Sequence, residues 1–91
     1  MTRYTWDEAK RLSNLRKHGL DFADAAAVVE GASATKEDTR FNYSERRFNT
    51  LGYLHGKSVV VTYTEEDDVI RIISFRKAGK RESLRLLGEA R

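Results

Sequence analysis

The chain has 91 residues, 40% of them hydrophobic and 34% charged, with no cysteine and a formal net charge of +3. That length supplies one domain over residues 1–91, a single sheet with two or three helices, and excludes a second core or a deep substrate cavity. The lack of cysteine excludes disulfides, thiolate metal sites and cysteine nucleophiles and suits a reducing cytoplasm.

The N-terminal stretch has no apolar signal core, which predicts a protein not exported by a classical signal. Thr5-Trp6-Asp7-Glu8 has the form of a capping box and predicts a helix from about Asp7 to Gly19, with Lys17 and His18 in its last turn, where cations suit the helix dipole. On it, Lys10, Asn14, Lys17 and His18 fall on one face, an unusual polar stripe, while Ala9, Leu12 and Leu15 lie away from it. Asp21 caps a second helix whose Phe22, Ala25, Ala26 and Val29 read as core packing, closed by Gly31. Phe22 to Val29 is the longest apolar stretch and is too short to span a bilayer, so no membrane is expected. Ala32 to Ser44 has no clear period and predicts a short strand or loop.

From Arg46 the period becomes two. Arg46 to Leu54, a His55-Gly56 turn and Lys57 to Thr64 predict a hairpin pairing Leu54 with Lys57. One face then carries Phe48, Thr50, Leu54, Val59, Val61 and Tyr63, the better core; Arg47, Asn49, Leu51, Val60 and Thr62 lie on the other. A four-residue acidic turn, Glu65 to Asp68, leads to a third strand, Val69 to Arg76. Pairing Thr64 with Val69 sets Arg71 beside Thr62, on the same open face as Arg47 and roughly 10 Å from it. After Ala78 the chain reads as a helix to about Glu89. The acidic turn is read as solvated, and neither a metal nor a cofactor is expected.

Charge is uneven: residues 1–20 carry five Lys/Arg against two acids, 21–45 two against six, and 71–91 seven against two. Two basic ends around an acidic middle suit a polyanion surface, though charge alone slightly favours a solvated face.

The runs Trp6-Asp7-Glu8-Ala9-Lys10, Asn14 to Phe22, Glu45-Arg46-Arg47-Phe48 followed by Gly52, and Ile70 to Ser74 with Arg76 to Glu82 resemble the BrnT family, known earlier as DUF497. The resemblance implies a RelE-like α+β fold: a small antiparallel sheet, a three-stranded meander plus one or two N-terminal strands, with two N-terminal helices packed on one face and a C-terminal helix. It also implies a cytoplasmic ribonuclease toxin of a bacterial type II toxin–antitoxin pair. RNA is its substrate, a BrnA-like antitoxin its partner in a heterotetramer, and operator DNA is met through the antitoxin alone. The family's charged positions fall on Lys17, His18, Arg47, Glu65, Arg71, Arg76 and Glu82. Three features depart from the family: Phe75 replaces a small residue, Gly79 stands where threonine is usual, and no tyrosine follows Tyr63.

Metal-free RNA cleavage needs a base for the ribose 2′-OH, cations for the phosphorane charge and an acid for the leaving 5′-oxygen. Arg47 and Arg71 are the candidates for charge stabilisation, because guanidinium forks match phosphate oxygens. His18 and Glu65 are the candidates for proton transfer, with Lys17 as a second cation or base; read from residues alone, His18 is better explained as a helix C-cap. Lys10, Asn14, Arg76, Lys77, Lys80 and Arg81 are candidate RNA contacts, and Glu82 pairs with Arg76 in a structural or functional ion pair. Two other readings stay open: a nucleic-acid-binding regulator without catalysis, and a subunit whose cations dock an acidic partner.

Overall fold

The computed structural model describes residues 2–32, 34–39 and 45–89, the side chain of Glu89 excepted. Among the described residues, five strands and three helices follow the order β1 (Arg3–Trp6), α1 (Glu8–His18), a 3-10 turn (Phe22–Asp24), α2 (Ala25–Glu30), β2 (Ala34–Asp38), β3 (Arg47–Leu54), β4 (Lys57–Glu66), β5 (Val69–Lys77) and α3 (Lys80–Glu89). The sheet order is β1-β5-β4-β3-β2. β1 runs parallel to β5 while the other neighbours are antiparallel, so the sheet is mixed and not the antiparallel one expected. The chain crosses from one edge strand, β1, to the other, β2, through α1 and α2.

Thr5 belongs to β1, so Asp7 is the N-cap of α1: its side chain accepts from the Lys10 N–H at 3.1 Å. Gly19 at φ 71° ends the helix, donating its N–H to the Leu15 carbonyl. Asp21 caps the following segment as expected, but as a 3-10 turn leading into α2. Three residues per turn at that start stack Phe22 and Ala25, and Val28 rather than Val29 completes the buried row. α2 lies so close to β3 that a Cβ on Gly52 would stand 2.7 Å from Val28 Cγ1.

Helices α1 and α2 cover one face of the sheet, where Phe22, Ala25, Val28, Val59, Val61, Tyr63, Ile72 and Phe75 form the main core. Helix α3 covers part of the opposite face through Leu86, which packs on Ala34, Leu51 and Val60. Each large side chain so buried is worth on the order of 1.5–3 kcal/mol. Phe75 is fully buried against the helices, so a bulky residue there is core material.

β3 and β4 pair in the register expected, Leu54 with Lys57 across His55-Gly56. The β4–β5 turn differs. Only Asp67 and Asp68 form it, both at positive φ (49° and 63°), and Glu65 and Glu66 belong to β4. Arg71 therefore pairs with Thr64, two residues from the expected partner.

A bulge in β5 follows. Tyr63 pairs with Ile72 and Thr62 with Ser74, leaving Ile73 as the extra residue. The bulge keeps Ile72 and Phe75 on the helix-covered face and turns both Arg71 and Arg76 to the α3 face. A regular strand would place the two arginines on opposite faces.

β1 ends at Trp6, opposite Ile72. Beyond it the exposed edge of β5 is met by α1: Asn14 Nδ2 donates to the Phe75 carbonyl at 2.7 Å, and the Phe75 N–H donates to Asn14 Oδ1 at 3.2 Å. One side-chain amide thus takes the place of the next residue of a strand. This is why Asn14 of the polar stripe, and neither leucine, is buried against the sheet; Lys10, Leu12, Leu15 and Lys17 are exposed.

Candidate functional site

The open part of the α3 face is built from two rows of paired residues. The outer row runs Asp38, Arg47, Thr64, Arg71 and Thr5 across β2, β3, β4, β5 and β1. The inner row runs Lys36, Asn49, Thr62 and Ser74, with the Thr62 hydroxyl donating to Asn49 Oδ1 at 2.7 Å. Arg47 and Arg71 flank Thr64 and are two strand spacings apart, roughly 10 Å between backbones. Both side chains leave the sheet on the same face. Arg71 is exposed, whereas Arg47 is half-buried and sits 3.8 Å from the Glu45 carboxylate.

α3 forms the wall behind the inner row. Arg76 donates both terminal nitrogens to the two oxygens of Glu82, each at 2.7 Å, a fork that ties β5 to α3. The Arg76 contact holds the Glu82 carboxyl below its ordinary range. Between this pair and β2 lies a cavity of about 150 Å³ lined by Lys36, Asp38, Asn49, Arg76, Glu82 and Arg85. The ion pair expected between Arg76 and Glu82 is therefore present, and Arg76 reaches a ligand only beside its carboxylate partner.

Glu65 pairs with Ile70 and so stands on the helix-covered face, across the sheet from Arg71. Because β4 ends one residue later, Glu65 still lines an end cavity of about 390 Å³ with Thr64, Arg71, Thr5 and Glu45. Beside it on the same face, Tyr4 donates to Glu30 at 3.0 Å; burial and that contact push its phenol up to about 12.

The remaining expected residues do not join this site. Asn14 is buried with its amide bound to Phe75 and Leu20, so it presents nothing to RNA. Lys17 and His18 close α1 on the other face, near Lys77, and β5 separates Lys77 from Arg71 by about 18 Å. The structure thus divides the expected catalytic set: Arg47, Arg71 and Glu65 at one end of the sheet, Lys17 and His18 at the other. Lys10 is exposed on α1, and Lys80 and Arg81 are exposed at the start of α3.

Sequence reasoning overlooked Lys36 and Asn49, whose row is fixed by the pairing of β2, and His55 and Lys57 beyond the end of the core. The alternation that places Lys57 on the face of Val59 is the signal for the latter. Among the described residues no group of three or more His, Asp or Glu side chains is arranged to hold a metal ion, and no helix is long and apolar enough to cross a membrane.

Two arginines in one row on the polar face of a small α+β sheet offer guanidinium forks of the kind that match phosphate oxygens. Residues 6–82 match the family described as ribonuclease toxin, BrnT, of type II toxin-antitoxin system, and the chain belongs to that family. It is accordingly a toxin of the ribonuclease kind, with RNA as target and an antitoxin as partner. The comparison with curated proteins returned no match.

Proposed function

We propose that the protein is an endoribonuclease that cuts RNA without a metal ion, using the ribose 2′-OH as nucleophile. The observation that carries this reading is the shared row of Arg47 and Arg71. Two guanidinium groups on either side of Thr64 bracket one phosphate, and their planar forks match its oxygens. The 2′-oxygen attacks the adjacent phosphorus as Glu65 takes its proton. The P–O5′ bond breaks, and the leaving oxygen takes a proton from water. The products carry a 2′,3′-cyclic phosphate and a 5′-hydroxyl. Arg47 and Arg71 neutralise the charge gathered on the non-bridging oxygens, a role in which one donor is commonly worth about 100-fold in rate. In this reading Lys17 and His18, with Lys10, Lys77, Lys80 and Arg81, contact the RNA chain away from the scissile bond, and Arg76 is held by Glu82 as the inner wall.

The wider setting in this proposal is a cytoplasmic toxin with a RelE-like arrangement, held by a BrnA-like antitoxin in a heterotetramer that meets operator DNA through the antitoxin; membership of a type II toxin–antitoxin family supports it. The four carboxylates beside the arginines favour a second reading, a subunit that binds nucleic acid or antitoxin without cutting. Purified protein incubated with RNA in EDTA separates the two. Fragments ending in cyclic phosphate, lost in Arg71→Ala, support the nuclease; intact RNA with a folded protein supports the second reading.

A further inference from the structure

The two histidines of the chain, 37 positions apart, line one cavity. It lies at the β3–β4 end of the sheet, on the face of α1, and measures about 230 Å³. Its floor is apolar, made by Leu20, Leu54 and Val59. His18 enters from the last turn of α1, next to Gly19 at φ 71°, and His55 from the turn, where it is held at φ 51°. Lys57 and Lys77 stand on the same face of neighbouring strands: Val59 pairs with Lys77, and Lys57 is two residues along β4. None of the described residues lining the cavity is acidic.

An apolar floor between two imidazoles suits a flat heteroaromatic ring, since unpaired bases stack on histidine as on other aromatic side chains. Two ammonium groups at the rim suit the phosphate attached to it. Lys57 and Lys77 also line an adjoining groove with Tyr53 and Lys80, and Tyr53 is 55% exposed. A chain leaving the cavity over the two lysines would meet a second stacking surface there.

We propose that the cavity between His18 and His55 is a docking site for one unpaired nucleotide of RNA, its base on the apolar floor and its phosphate between Lys57 and Lys77. The site is remote from Arg47 and Arg71 and takes no part in bond cleavage. It rests on the reading of RNA as substrate for the identity of the polymer, and its test reads binding alone.

Adenosine and uridine 5′-monophosphate, inorganic phosphate and a single-stranded DNA oligomer are titrated into protein observed by NMR at the two imidazole rings. His55→Gly assigns the rings and preserves the turn, because glycine adopts positive φ without strain. The mononucleotides are expected to move both ring signals and to bind at least tenfold more tightly than inorganic phosphate. Lys57→Ala is expected to weaken them several-fold and to lower the salt slope of oligomer binding by about 0.7, the value for one single-strand phosphate contact. Rings that stay still with nucleotide and oligomer alike overturn the proposal. So do rings that respond to inorganic phosphate as strongly as to nucleotide, which would make the cavity a plain anion site. Neither mononucleotide nor DNA contains the scissile group, so a failure here is distinct from a failure to cut RNA.

Discussion

The sheet ends in opposite charge. At the β4–β5 turn, Glu65, Glu66, Asp67 and Asp68 follow one another beside Arg47 and Arg71; at the β3–β4 turn, His18, His55, Lys57 and Lys77 surround one cavity. The molecule is 31 Å in its longest dimension, several times the screening length of about 8 Å at physiological salt, so the two ends act independently on a nucleic acid. Long-range attraction belongs to the basic end. In the proposed reading the arginines work at contact distance, through the forked geometry of guanidinium. Attraction and proposed chemistry are thus assigned to different surfaces, and each can be removed alone.

The largest effect is expected at the arginine row. Arg71→Ala should lower cleavage on the order of 100-fold, measured as initial rate on a labelled oligonucleotide, with the thermal midpoint almost unmoved because the side chain is exposed. Cleavage that persists in this variant would transfer the chemistry to the basic end. Next is Asn14→Ala, which strands the N–H and carbonyl of Phe75 in the interior and should cost about 2 kcal/mol in urea unfolding. That loss weakens the framework common to both ends.

Glu82→Gln is expected to cost less, about 1 kcal/mol after allowing for partial exposure of the pair. Its pH dependence has a definite sign. The carboxyl of Glu82 is held below its ordinary range in the fold, as are those of Asp21 and Glu37, chiefly by hydrogen bonds from Arg76, Arg11 and Arg46 respectively. Stability from these groups is fully present above the unfolded value of about 4 and is lost as pH falls through the lower folded values. Denaturant midpoints of the parent and Glu82→Gln should therefore differ at pH 7 and converge in strong acid. The smallest effect is expected at the acidic tip: Glu66→Gln with Asp67→Asn should raise the RNA association rate a few-fold in low salt and leave it unchanged in high salt.

Much of the sheet was legible because alternation and turn chemistry agree there. Leu54 and Lys57 flank a His-Gly turn, and Phe48, Val59, Val61 and Tyr63 all fall on the inner face. β5 was displaced by two residues because four consecutive acids read as a longer turn, whereas Asp67 and Asp68 alone accept the positive φ that a two-residue turn requires. The common face of Arg47 and Arg71 survived that error, since a shift of two preserves parity. The adjacent Ile72 and Ile73 were the signal for a bulge, and the common face of Arg71 and Arg76 depends on it. Lys17 and His18 were grouped with the arginines through the family resemblance, and a list of motif positions does not say which end of a sheet a helix reaches. Asn14 was misread for a similar reason: its partner lies 61 residues away, and a polar stripe on a helix carries no mark of being turned inward.

That amide has a consequence for how this protein meets other chains. An unpaired strand edge is a template on which a foreign strand can add, and it invites aggregation as readily as recognition. On the β1 side, pairing of that kind is confined to the four residues of β1, because the backbone of Phe75 beyond Trp6 is already engaged by Asn14. A partner strand laid along this edge would meet the side of a helix after one short segment. Replacement of Asn14 by a residue without an amide would therefore lengthen the edge open to self-association and make the domain prone to form intermolecular sheets.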